Sequence, residues 1–207
     1  MARFRKTPAS IKLAPLWRRR PLLSAVLLVL AGLVVYERGF GRLGQQDDYS
    51  RYHNEVFEVV RVLDGDTFDI DIADRTHPTT RVRLWGVDTP EVAGSPAGAM
   101  HYGAEASAFA RRRLLGRSVR LVLSPTKTRG KYGRLLAYVY VEPSGPMFNE
   151  LLLEHGYAYA DWRFPHPYKR QFKAIEKRAR SQGVGLWAEV KLEQMPAWRQ
   201  RMESWGN

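Results

Sequence analysis

From Glu55 onward the chain carries short runs in which apolar and polar residues alternate, with turn residues between them. Val56–Leu63 ends in the turn dipeptide Asp64-Gly65, and Phe68–Ile72 sets Phe68, Ile70 and Ile72 against Asp69 and Asp71. Asp74–Thr80 reads as a turn, and Arg81–Leu84 resumes the strand pattern. A period of two is strand periodicity, so these three runs predict a meander, with Asp69, Asp71 and Asp74 on a solvated face. Ser118–Leu123 and Leu135–Val141 add two strands around the polar loop TKTRGKYGR. Helical spacing marks Tyr102–Leu115, Met147–His155 and Tyr168–Gln182, each stopped by the glycine that follows it. In the last of these, Phe172, Ile175 and Ala179 share one face. Five short strands leave exposed edges unless the sheet closes. The expected fold is therefore α+β, a five-stranded β-barrel with about three helices.

The barrel region occupies residues 55–188 of 207. Before it, residues 1–20 form a basic segment, and Pro21–Tyr36 is a run of sixteen residues without a charge. As a helix that run is roughly 24 Å long, short of a ~30 Å hydrocarbon core but within reach of snorkelling by Arg18, Arg19 and Arg20. It reads as a transmembrane signal-anchor, with a cleaved signal peptide or a buried core helix as alternatives. An A-x-A cleavage site is missing, and the nearest small-x-small triplet is Gly39-Phe40-Gly41. Seven basic residues ahead of the run hold the N-terminus inside, so either membrane reading places the rest of the chain outside the cytoplasm. Residues 37–54 read as a linker, and 189–207 as a tail whose Trp198 and Trp205 are free to pack on the barrel or on a partner.

Charge and cysteine content narrow the chemistry. The net charge is +12, but residues 1–42 hold nine Lys/Arg against Glu37 alone, so two thirds of the excess lies ahead of the barrel. The globular part is mildly basic, which permits a polyanionic partner without demanding one. With no cysteine, disulfide scaffolds, cysteine zinc sites and thiol nucleophiles are excluded. The five histidines show no metal-ligand spacing.

What remains is a carboxylate and arginine constellation. Asp66 follows a turn and Asp88 ends a strand, and neighbouring strands of a meander can bring them together. Two carboxylates and a loop carbonyl make an oxygen-only site for a hard cation such as Ca²⁺ or Mg²⁺. Pro90 stiffens the loop that projects Glu91, a third carboxylate able to hold or deprotonate a water. Arg83 on the same strand offers a planar fork for a phosphate. Together these are a Lewis acid site, a water activator and an anion clamp.

The motifs DGDT, R-L-W-G-V-D-T-P-E, YG-x-E-A-S-x-F-A at 102–110, K-Y-G-R-L-L-A-Y at 131–138, N-E-L-L at 149–152 and G-L-W at 185–187 occur in one order. In that order and content the chain resembles the staphylococcal-type thermonucleases over about residues 55–188. The resemblance implies an OB-fold barrel and a Ca²⁺-dependent phosphodiesterase acting on DNA and RNA, single strands preferred, and leaving 3′-phosphate ends. Mg²⁺ or Mn²⁺ are conceivable substitutes for the one Ca²⁺ ion. It implies Asp66, Asp88 and the Thr89 carbonyl as metal ligands and Glu91 as the water-activating carboxylate. It implies Arg83 and Arg134 as the arginines on the scissile phosphate, and Lys131 and Tyr132 as contacts to a terminal phosphate. Trp162 and Phe164 stand nearest the family's base-stacking tyrosines, without the tyrosine hydroxyl, and the loop Val92–Met100 lacks lysines.

The expected protein is thus a membrane-tethered or secreted extracytoplasmic nuclease. A catalytically silent OB-fold module that binds single-stranded nucleic acid or protein at the membrane is the alternative. The presence of Asp66, Asp88, Glu91, Arg83 and Arg134 together favours the enzyme.

Overall fold

The computed structural model describes residues 25–32 and 47–204. The chain divides into two compact units, Met1–Gly44 and Gln45–Asn207. In the first unit, residues 25–32 are helical. The basic segment, the remainder of the apolar run and residues 37–46 lie outside the described residues. Among the described residues no helix is long and apolar enough to cross a membrane.

The second unit is built on a closed five-stranded barrel. Its strands are β1 (Val56–Val62), β2 (Thr67–Ile70), β3 (Thr80–Leu84), β5 (Ser118–Val122) and β6 (Leu135–Val141), in the order β1-β2-β3-β6-β5. The first three form the expected meander, with Val62 opposite Phe68 and Ile70 opposite Thr80. β5 pairs with both β1 and β6, and the barrel closes through β3 and β6, which run parallel with Arg83 opposite Leu136. Closure leaves no long strand edge among the five. Alternate residues fill the interior: Val59, Phe68, Ile70, Val82, Leu84, Leu121, Leu135 and Val139 are all buried.

One expectation about β2 is corrected. All four of its residues are buried, and Asp69, expected in solvent, is 3% exposed. Its carboxylate accepts from Arg81 Nε at 2.8 Å and Nη2 at 3.2 Å across the β2–β3 pair. Alternation read the acid correctly as facing away from the core but could not show that the opposite strand covers it. Asp74 is likewise engaged, by Arg129 at 2.6 Å.

Residues 47–54, read as linker, belong to the barrel unit. Residues 47–52 form helix α1, whose Tyr52 is fully buried and hydrogen-bonded to Thr80 at 3.1 Å. Asp48 accepts from Arg129 at 2.7 Å and from Thr128 at 3.0 Å. Polar composition suggested a spacer, but two long-range contacts and a buried ring fix this turn.

The helices match their expected ranges within a residue or two. α2 (Gly103–Leu114) buries Ala106, Phe109, Ala110 and Leu114, and α3 (Phe148–Glu154) buries Phe148, Leu152 and Leu153. α4 (Lys169–Ser181) buries Phe172, Ile175 and Ala179 on the predicted stripe, with Glu176 among them. Asn149 of α3 ties the layers together. Its Oδ1 accepts from Val139 N at 3.0 Å, and its Nδ2 donates to Trp85 O at 3.0 Å and Ala137 O at 3.4 Å. A fully buried amide with its hydrogen bonds made is a strong positional constraint. Here it holds the corner after β3.

Past that corner a two-residue strand β4 (Val87–Asp88) pairs with β7 (Tyr159–Ala160), setting Asp88 opposite Tyr159. The described part of the tail includes helix α5 (Ala197–Ser204).

Candidate active site

Three short segments converge at one end of the barrel: the 64–67 turn, the corner from Arg83 to Glu91, and the residues leading into β6. Gly65 makes the first approach possible. A Cβ there would stand 2.7 Å from Thr89 Cγ2, too close for any side chain to be accepted without movement. Asp66, 1% exposed, follows directly. Its Oδ2 accepts the Thr89 backbone N–H at 2.8 Å, and its Oδ1 accepts from Thr67 Oγ1 at 3.0 Å and pairs with Arg83 Nη1 at 2.7 Å.

Arg83 completes the arrangement. Its second terminal nitrogen donates to Asp88 Oδ1, so one guanidinium bridges the two acids expected to share a cation. The electrostatics reflect confinement. Burial pushes the Asp66 carboxyl up to about 6, against the pull of Arg83 and with the help of Asp64. Burial raises Asp88 too, opposed by Arg83, by the hydrogen bond from Trp198 and by Arg163. Burial works against the Arg83 charge, but Asp66 and Asp88 outweigh it and leave the group more basic than usual.

One buried and one half-buried carboxylate aimed at one positive group, with a peptide at Thr89 anchored beside them, form an oxygen-rich site. The donor set fits a hard divalent cation, and the Arg83 guanidinium marks where positive charge is favoured. Among the described residues no three His, Cys, Asp or Glu side chains cluster as a metal cage. A site of two carboxylates and a carbonyl has fewer than that.

The remaining expected residues line the adjoining space. Glu91 and Arg134 border two clefts of about 930 Å³ and 580 Å³, and Arg83 and the exposed Tyr132 line both. The Glu91 loop is closed at its base by Met100 N donating to Glu91 O at 2.9 Å. Arg134 Nη1 reaches Thr67 Oγ1 at 3.4 Å, and its guanidinium lies 5.7 Å from the Tyr132 ring centre. Burial, then the proximity of Arg83, lowers its basicity, against the pull of Asp66, Asp64 and Asp88. Lys131 borders the smaller cleft.

The two expected stacking residues part company. Phe164 is 49% exposed on the smaller cleft, with Lys127 Nζ at 5.1 Å from its ring. Trp162 is half-buried, with Arg199 at 4.3 Å and Lys173 at 4.7 Å over its ring and Trp198 against it edge-on. Of the pair, only Phe164 lines the smaller cleft.

Three residues that were not among the expected site residues reach the site. Thr67 links Asp66 to Arg134. Arg163 is held by Asp161 at 2.7 Å and stands 3.6 Å from Asp88. Trp198 of the tail donates its indole N–H to Asp88 Oδ2 at 2.6 Å. Thr67 was legible as part of DGDT, while Arg163 and Trp198 carry no local pattern that points to Asp88.

Comparison with known proteins agrees with this architecture. The model of the staphylococcal nuclease homologue family matches residues 81–189. Thermonuclease of Staphylococcus hyicus is 30% identical over 173 residues, which are 82% of this chain and 99% of that protein. Thermonuclease of Staphylococcus intermedius is 33% identical over 173 residues, 81% of this chain and 98% of its own. Micrococcal nuclease of Shigella flexneri is 34% identical over 150 residues, covering 69% of this chain and 79% of that one.

Proposed function

This chain belongs to the staphylococcal nuclease family, and on that premise we propose that it is a Ca²⁺-dependent nuclease. It cleaves phosphodiester bonds of DNA and RNA with low sequence specificity, prefers single strands and leaves 3′-phosphate ends. The observation that carries the reading is the bridging of Asp66 and Asp88 by the single Arg83 guanidinium, beside clefts bordered by Glu91 and Arg134.

In this reading Asp66, Asp88 and the Thr89 carbonyl hold the cation. Ca²⁺ held there would supply a Lewis acid and compensate the negative charges of Asp66 and Asp88. Arg83 and, from the β6 side, Arg134 would offer their guanidinium donors to the non-bridging oxygens of the phosphate. Charge accumulates on those oxygens as water attacks, and two fixed donors hold it in a partly dry cleft. Glu91 orients the water and takes its proton. Tyr132 and Lys131 hold the neighbouring phosphate, and Phe164 offers its face to a base.

Residues 21–36 anchor the enzyme in a membrane, with the barrel outside the cytoplasm. The charge-free run and its basic flank support this, and protease protection of the barrel in spheroplasts or protoplasts would refute it.

The central test is release of acid-soluble nucleotides from denatured DNA by the full chain, with Ca²⁺, with EGTA, and with Glu91→Ala. Ca²⁺-dependent release that collapses in the variant is the expected result. A folded protein that binds single strands but releases nothing under any divalent cation is instead a silent binding module.

A further inference from the structure

Helix α5 lies beyond residues 81–189, the stretch matched by the family model, yet it delivers a side chain to the site. Arg199 fastens it from below. The guanidinium, 3% exposed, bonds both carboxylate oxygens of Glu176 at 3.0 and 3.1 Å, while its Nε donates to Glu203 at 2.8 Å. Trp198 takes the opposite direction. Its indole Nε1–H meets Asp88 Oδ2 at 2.6 Å, and Arg163 stacks at 4.2 Å over its ring.

The two oxygens of Asp88 thus have different partners. Oδ1 faces Arg83, whose other nitrogen is on Asp66, whereas Oδ2 is held by the tail. We propose that Trp198 is a positioning residue for the cation site, fixing Asp88 so that Oδ1 stays turned toward the place where Arg83 bridges it to Asp66. The proposal rests on the Ca²⁺-dependent reading given above.

The physical reason is orientation. Asp88 sits on a strand of two residues, so beside a bound cation its carboxylate would need a second constraint. The indole N–H supplies it at 2.6 Å with no charge of its own, while the Arg163 guanidinium stands farther off, 3.6 Å from the same Oδ2. Outer partners of metal ligands of this kind typically change metal affinity by about 10–100-fold. The bonds of Arg199 to Glu176 make α5 a fixed support for the indole.

The test is calorimetric titration of the full chain with Ca²⁺ in the absence of nucleic acid, comparing wild type with Trp198→Phe. The phenyl ring keeps most of the packing and lacks the donor. We expect about 10–100-fold weaker Ca²⁺ binding, with metal-free melting close to wild type. Unchanged affinity overturns the proposal and makes Trp198 a packing residue only. A second readout needs no variant: hydrogen exchange of the Trp198 indole N–H in the Ca²⁺-loaded wild type. Slow exchange supports the proposal, and exchange as fast as free indole overturns it, even where Trp198→Phe fails to fold. A wild type that takes up no Ca²⁺ refutes the cation reading itself, which neither variant nor exchange result does.

Discussion

The pair formed by Arg199 and Glu176 gives a sharp test of how the tail is held. Both residues are almost wholly buried, at 3% and 4% exposure, and two hydrogen bonds of 3.0 and 3.1 Å join them. Arg199→Met keeps the volume of the stem and removes the charge. Glu176 is then left with the Ala160 backbone N–H at 2.8 Å as its remaining close donor. Breaking a buried pair from one side costs about 3–5 kcal/mol, which lowers Tm by roughly 6–20 °C in a domain of this size.

The sign of the pH dependence follows from Glu176. Burial already pushes its carboxyl above the ordinary 4.5, with Arg199 pulling the other way. Without Arg199 it rises further. The unfolded chain then loses this proton at lower pH than the folded variant does, so folded protein binds more protons in between and stability falls as pH rises. The deficit of Arg199→Met should therefore be larger at pH 7.5 than at pH 5, measured by urea unfolding. Adding Glu176→Gln should recover most of it at pH 7.5, because an amide oxygen still accepts from Ala160. Equal deficits at both pH values, or no recovery in the double variant, would refute the electrostatic account. They would assign Arg199 to its stacking on Trp162 at 4.3 Å.

Arg83→Lys and Arg134→Lys should each lose at least about 100-fold in phosphodiesterase turnover, because an ammonium cannot reproduce the planar fork; near-normal kcat in either excludes that role for the residue. Gly65→Ala should cost about 1–3 kcal/mol by pressing on Thr89, and a change smaller than about 0.5 kcal/mol in denaturant unfolding would show that the turn does not need the close approach. With the Asp66 carboxyl raised to about 6, the metal-free fold keeps a proton that the unfolded chain has already lost, so this group lowers stability as pH climbs from about 4 to 6. Ca²⁺ competes with that proton, so the rise in Tm on adding Ca²⁺ should grow between about pH 5 and 7, and a flat increment would contradict it.

The elements with strong local signals were legible from residues alone. Leu135–Val141 coincides with β6, and the stripe of Phe172, Ile175 and Ala179 is the buried face of α4. The β4–β7 pair was invisible because two residues on each side carry no periodicity. Asp69, Glu176 and Asp48 misled or went unnoticed for one shared reason. Each is an acid whose burial is decided by an arginine distant in sequence: Arg81, Arg199 and Arg129. At the site, motif spacing named Asp66, Asp88 and Arg83, while the engagement of Asp88 by Trp198 spans 110 positions and leaves no trace in local pattern. Trp162 and Phe164 looked equivalent in sequence, and the packing of α5 separates them.

The parallel seam between β3 and β6 has a consequence for when the molecule becomes dangerous. Val82 and Leu135, about fifty residues apart, must meet before the barrel closes, and Arg83 and Arg134 stand at that seam. Contacts of such long range form late, after the hairpins of the meander. A chain emerging from the ribosome, or threaded through a translocation pore, therefore carries every motif and none of the chemistry. In the extracytoplasmic reading proposed above, topology would act as a safety catch: the nucleic acids of the producing cell would be exposed only to the unassembled parts, and the blade would be set where the chain finishes folding.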